Sequence, residues 1–214
     1  EDLDALLLEG LEGLDEDHIQ AIESSDIQAI TPAMLTSLAA ATVKLFSANQ
    51  VGAMTTKQVQ ALAITSLSDE ARASLKDAQI QALTATQINT LTDAQTAALT
   101  TQQVSAISTS AISTLTKLDK LEDEDIAALT TDQVRALTTS QVNALTTSQL
   151  KAMDAADVSV LSSAQLGALT TTQVGVLTVK QLQSLSTGAL AGLTTAMVAV
   201  LSTTQANSLD RKST

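Results

Sequence analysis

An eight-residue phrase, Leu-Thr-Thr-x-Gln-Val-x-Ala, recurs along the chain, most clearly as LTTDQVRA, LTTSQVNA and LTTSQLKA from Leu129 to Ala152. A short fixed period restricts the chain to a repeat architecture, in which each unit buries its apolar face only against its neighbours. Leading apolar residues recur every eight positions in three runs: Leu6 to Leu62, Leu67 to Leu115, and Leu121 to Leu209. The only aromatic residue, Phe46, sits in a leader slot. The step from Leu62 to Leu67 is five residues and that from Leu115 to Leu121 is six, so the phase changes twice.

With the leader as position zero, position five is also apolar, as at Ile19, Val59, Ile88, Val134, Val142 and Val174. Position seven is usually small, as at Ala21, Ala61, Ala106, Ala136 and Ala144. Arg72, Thr96 and Lys120 depart from the pattern, and Arg72 and Lys120 lie near the phase changes.

No uninterrupted element suits this spacing. An α-helix turns about 100° per residue, so eight residues overshoot two turns by roughly 80° and the apolar stripe circles the helix. Coiled coils need sevens or elevens. In a strand, positions zero and five have opposite parity and face opposite sides. Each octad must therefore break, and the break is written in capping residues. Thr130 with Gln133 forms a Thr-x-x-Gln capping box, repeated at Thr55/Gln58, Thr84/Gln87, Thr138/Gln141, Thr146/Gln149, Thr170/Gln173 and Thr178/Gln181, with serine versions at Ser162/Gln165 and Ser202/Gln205. The only proline, Pro32, follows Thr31 and falls on the first helical position, where its missing N–H costs nothing. The reading is all-α: a superhelical solenoid with one very short helix per octad. Such helices are unstable alone, so stacking must hold them. The spacing leaves a triangular or a square section open.

The domain reading follows the phase: an acidic N-terminal cap over 1–13, octad arrays over 14–66, 67–120 and 121–209, and a tail over 210–214. The start, Glu1-Asp2-Leu3, is neither an initiator Met nor a signal peptide, which reads as a fragment or a processed form. No stretch approaches a membrane span.

Chemistry is sparse. The chain has no Cys, Trp or Tyr, so disulfides and thiol chemistry are absent. Its one histidine, His18, occupies the position usually held by Gln, and with no Cys a zinc site of nitrogen and sulfur ligands is ruled out. No Ser or Thr has a base arranged for nucleophilic catalysis, and no Gly-rich phosphate loop occurs. Neither a catalytic residue nor a cofactor is expected. The net charge is −12, with ten acidic residues and no Lys or Arg in the first 26. An acidic chain without base-stacking aromatics does not suit nucleic acid. Two clusters, Asp15, Glu16, Asp17 and Glu122, Asp123, Glu124, Asp125, are candidate oxygen ligands for calcium. They match neither calcium-loop spacing, and each also reads as first-turn acid complementing a helix dipole.

The LTTxQVxA phrase resembles octapeptide-repeat stretches of very large bacterial surface or secreted proteins of adhesin-like type, over octads from about Leu14 to Leu209. The resemblance implies a secreted or cell-surface setting and carries no catalytic or binding residue with it. The leading functional expectation is a structural module, a spacer or scaffold within a larger protein, without catalysis. The alternative is a binding or adhesion module, calcium-assisted, that uses the exposed variable positions Asp132, Ser140, Ser148, Ala164 and Thr172 against a protein or surface partner. A monomer is expected, with end-to-end association open to it.

Overall fold

The computed structural model describes residues 16–210; the acidic cap over 1–13, Asp15 and residues 211–214 lie outside the described residues. Among the described residues there are twenty-two short α-helices, three single-turn 3-10 helices and no strand. Helices run four to six residues, apart from Thr203–Asp210 with eight.

The octad explains each of these helices. In Thr139–Ala144 the N-cap Thr138 is extended (φ −73°, ψ 160°) and its hydroxyl accepts from the Gln141 N–H. The next leader, Leu145, is extended as well (φ −58°, ψ 137°) and closes the helix with its N–H on the Val142 carbonyl. Two extended residues in a row, a leader and a Thr, therefore make the corner between one helix and the next. All the capping boxes expected between Thr55 and Gln181 are formed, and Ser47/Gln50, Thr92/Gln95 and Thr100/Gln103 add to them. Pro32 opens the helix Pro32–Ser37 behind Thr31, whose hydroxyl accepts from the Met34 N–H.

Two compact units divide between Ala111 and Ile112, and both phase changes lie inside a unit. In the second unit Asp123–Ala127 packs on Thr147–Ala152, Ala155–Ser159 on Val179–Ser184, and Ser163–Gly167 on Thr187–Leu190. In the first, Pro32–Ser37 packs on Thr56–Ala61 and Asp77–Ala82 on Thr101–Ala106. Each helix thus lies over the third helix before it. Within each unit three octads make one turn, and the section is triangular.

Leaders and position-five residues fill the interior of these turns. Val134, Val158 and Val174 are 0 % exposed, and Leu137, Leu145 and Leu161 are nearly as buried. Stacking lets helices too short to stand alone bury both large residues of every octad, which is the term that drives the fold. The departures are accommodated locally. Thr96 is buried in a position-five slot and turns its hydroxyl back onto the Thr92 carbonyl at 2.9 Å. Arg72, also in that slot, is buried with its guanidinium on Asp69 and on the Leu67 carbonyl. Lys120 reaches outward to Asp119 at 2.9 Å.

The phase changes have a simple structural meaning. The five-residue step contains only the 3-10 helix Ile64–Ser66, and the six-residue step only Leu118–Lys120. Ile64 and Leu118 keep the buried position-five role, and Leu67 and Leu121 keep the leader role. What is missing is the start of the octad, its cap and first turn. One side of the triangle is shortened while the interior contacts persist.

Two turns meet closely at Gly192. A Cβ there would run into the Ser163 carbonyl and sit 3.0 Å from the Gly167 N, so these two turns meet backbone to backbone.

Two expectations follow. Leu145→Ala should lower stability by about 2–5 kcal/mol in urea denaturation, the usual cost of emptying a packed leucine site. Duplicating Leu137–Ala144 in place should keep the far-UV helix signal and one cooperative transition, whereas inserting only its first half should abolish cooperativity, because it moves every later leader off the interior.

Candidate functional site

The most elaborated polar feature is the glutamine at position four. In its own octad the Gln165 Oε1 accepts from the Ser162 N–H at 2.9 Å and the Ser162 hydroxyl at 3.0 Å. Its Nε2 donates away from the octad, to the Val134 carbonyl at 3.0 Å and the Leu137 carbonyl at 2.8 Å, 31 and 28 residues back. A primary amide has one carbonyl oxygen and two N–H donors, and here all are used. Gln181 repeats the pattern on Leu150 and Met153, and Gln50 does so on Ile19 and Ile22. The two carbonyls belong to the corner beneath, where the leader is extended and helical bonding has ended. The glutamine thus satisfies the leader carbonyl, which lies past the helix end, and adds a second donor to the position-five carbonyl, which already accepts from the leader N–H, as Val134 does from Leu137.

The reach adjusts to the phase changes. Across the five-residue step Gln79 bonds Val51 and Met54, 28 and 25 residues back. Across the six-residue step Gln141 bonds Ile112 and Leu115, 29 and 26 back. The register shortens by the number of residues missing, and both donors still find carbonyls.

A second, outer ladder joins turns at the surface. Asn143 donates to the Ala168 carbonyl at 2.7 Å and Gln28 to the Ala53 carbonyl at 3.2 Å, from position six to position seven of the turn above. The Ser148 hydroxyl meets the Asp123 carboxylate, and Gln102 meets Asp77 at 2.9 Å. The carbonyls of the small position-seven residues Ala168 and Ala53 thus make contacts between turns.

The calcium candidates are dispersed. Glu16 and Asp17 are exposed in the first turn of Glu16–Ala21, and Glu16 accepts from Gln20 at 2.8 Å. Asp15 lies outside the described residues. Glu122 is the N-cap of Asp123–Ala127, Asp123 is held by Ser148, Glu124 is exposed, and Asp125 is buried with its carboxylate accepting from the Glu122 N–H at 3.2 Å. Among the described residues no group of three His, Asp or Glu side chains is gathered as a metal site. His18 takes its position-four place as the third of the six residues of its short helix.

Asp125 and Asp157 stand where other octads carry Gln, and both are buried. Burial pushes the Asp157 carboxyl above the usual range, and the neighbouring charge of Asp154 adds to this. Burial likewise raises Asp125, against the bond from the Glu122 N–H, while Glu122 and Glu124 raise it further. An ionised Asp has no proton for the turn beneath; in register the carbonyls that Asp157 leaves without an amide are those of Ile126 and Leu129.

Two of the depressions in the surface lie beside the shortened sides. One of 660 Å³ is lined by Ala40, Lys44, Thr65, Ser66 and Asp69, beside the five-residue step. Another of 290 Å³ is lined by Thr114, Thr116, Leu118, Thr138 and Ser140, beside the six-residue step. Hydroxyls make up most of the second lining, whereas the first sets Thr65, Ser66 and Ser68 among Ala40, Ala41, Lys44, Leu67 and Asp69. No helix among the described residues is long and apolar enough to cross a membrane.

Residues 118–155 and 150–187 match the family model of the ALTTAQ repeat, in two adjacent and overlapping stretches. No curated protein matches the chain.

The glutamine and aspartate slots make opposite predictions. Gln165→Met keeps the volume and removes four hydrogen bonds; it should cost about 2–4 kcal/mol, at roughly 1 kcal/mol per net bond. Gln165→Glu should cost more at about pH 7 than at about pH 4, since the carboxylate keeps only the capping half. Asp157 has a raised folded-state pKa, so its contribution to stability is present at low pH and lost as pH rises through that pKa. Asp157→Gln should remove this loss and add about 1–3 kcal/mol at neutral pH; urea denaturation across pH measures both.

Proposed function

We propose that this chain of ALTTAQ-type octads is a structural module, a spacer or scaffold inside a larger secreted or surface protein of bacteria, and that it has no catalytic role. The observation that carries this reading is where the polar side chains go. Thr and Ser at position one cap helices, Gln at position four ties turns together, and Asn and Gln at position six do the same outside. The groups that would bind or transform a ligand are consumed by the architecture. Among the described residues no buried side-chain nitrogen or oxygen lacks a hydrogen-bond partner.

The adhesion alternative has less support. Asp132, Ser140, Ser148, Ala164 and Thr172 are all exposed, yet they are small and without the Tyr, Trp or Arg anchors that usually carry affinity. Ser148 is engaged by the turn beneath.

Light scattering on a size-exclusion column, with calcium and with a chelator, tests the module reading. A monomer of 22.1 kDa with the same elution volume in both buffers is expected. A calcium-dependent change of mass or volume would transfer the acidic residues from capping to ion binding and sink the reading.

A further inference from the structure

The chain has four methionines, and the octad sorts them into two pairs. Met54 and Met153 are leaders, whereas Met34 and Met197 stand at position four, the place of the glutamines. Exposure does not separate the pairs, since Met54, Met153 and Met197 are 4 %, 3 % and 5 % exposed. Their surroundings do. Met54 and Met153 close the helices Ala48–Ala53 and Thr147–Ala152 and fill interior leader places, with no hydrogen bond to either sulfur. Met197 instead takes part in a capping box. Its N–H donates to the Thr194 hydroxyl at 3.3 Å, and its thioether sulfur accepts from the Thr194 N–H at 3.4 Å. Met34 likewise donates its N–H to the Thr31 hydroxyl at 3.3 Å.

A thioether is a weak acceptor, and the slot is built for a stronger one: the Gln165 oxygen takes the equivalent Ser162 N–H at 2.9 Å. Atom for atom, the methionine Sδ stands where glutamine has Cδ. An oxygen added to that sulfur corresponds to Oε1, and the methyl corresponds to Nε2. We propose that position four is a sulfoxidation site, at which Met197 and Met34 take an oxygen atom from a peroxide and use it to complete the capping box. A lone pair on Sδ attacks one peroxide oxygen, and the O–O bond breaks as the S–O bond forms. Sulfur gives up two electrons and the peroxide is reduced. With hydrogen peroxide, the proton on the transferred oxygen passes to the departing hydroxide, which leaves as water.

The new oxygen accepts from the Thr194 or Thr31 N–H. The methyl gives no donor to the turn beneath, so oxidation supplies the capping half of a glutamine and not the half between turns. At a leader the same oxygen has the opposite consequence. The sulfoxide dipole of Met54 or Met153 would lie in the leucine and valine interior, where an unpaired polar group is costly. One chemical lesion therefore completes a cap in one register of the octad and breaks the interior in the other.

The test uses the full chain in two double variants. Met54→Leu with Met153→Leu keeps only the position-four methionines, leucine being the regular leader; Met34→Leu with Met197→Leu keeps only the leaders. Each is oxidised to completion with hydrogen peroxide in urea, checked by mass spectrometry, and refolded. The first is expected to retain its far-UV helix signal, with a urea midpoint equal to or above that of its unoxidised form. The second is expected to show a lowered midpoint or no cooperative transition. A fall in the first midpoint, or an unchanged second one, would overturn the proposal. Met197→Gln in the otherwise native chain places the same oxygen without peroxide and keeps the question open to measurement should a double variant not fold. Its midpoint should equal or exceed the native value, and a lower one would equally overturn the proposal.

Discussion

The structure depends on what one primary amide can do in a dry corner. A helix of five or six residues leaves most of its backbone groups outside its own hydrogen-bond ladder, and in a stacked array those groups are buried. Gln165 resolves the difficulty at both ends at once: its oxygen takes the Ser162 N–H that starts one helix, and its nitrogen serves the Val134 and Leu137 carbonyls that end another. Remove that bridge and the short period becomes untenable, since neither the caps nor the corners would be satisfied. The leucine and valine interior supplies the driving force, but it is non-directional. The amide gives the turns their register.

Much of this was legible in the sequence. The octad excluded a continuous helix and a strand, the Thr-x-x-Gln pairs marked each helix start, and Pro32 confirmed the phase. The three-sided turn was not legible, because an eight-residue period fixes the length of a side and says nothing of how many sides close a turn. A signal was nevertheless present. Glu and Gln serve equally in a capping box, yet from Phe46 onward position four of the regular octads holds Gln most often, Ala at 71, 111 and 189, Asp at 125 and 157, Met at 197, and Glu never. A demand for donors accounts for Gln over Glu where a carbonyl of the turn beneath lies in reach. The calcium candidates illustrate the converse: consecutive acids look like a cluster in one dimension, but a helix distributes Glu122, Asp123, Glu124 and Asp125 to a cap, an outer contact, solvent and the interior.

The two phase changes show which parts of the octad are negotiable. Both shortened sides discard the cap and the first turn and retain the position-five residue and the following leader. Ile64 and Leu118 are buried nearly as fully as the valines of the regular array. The interior pair and the carbonyls behind it are the fixed points, and the length of helix leading to them can vary.

Every inner-ladder bond named above runs the same way, from a later glutamine to an earlier carbonyl. A ribosome delivers the acceptors first. As each new octad emerges, the corner it must cover is already made, and its own corner waits for the glutamine 28 residues behind it. The array is therefore suited to setting turn by turn behind the exit tunnel, like masonry laid in courses, with only its newest course unfinished at any moment.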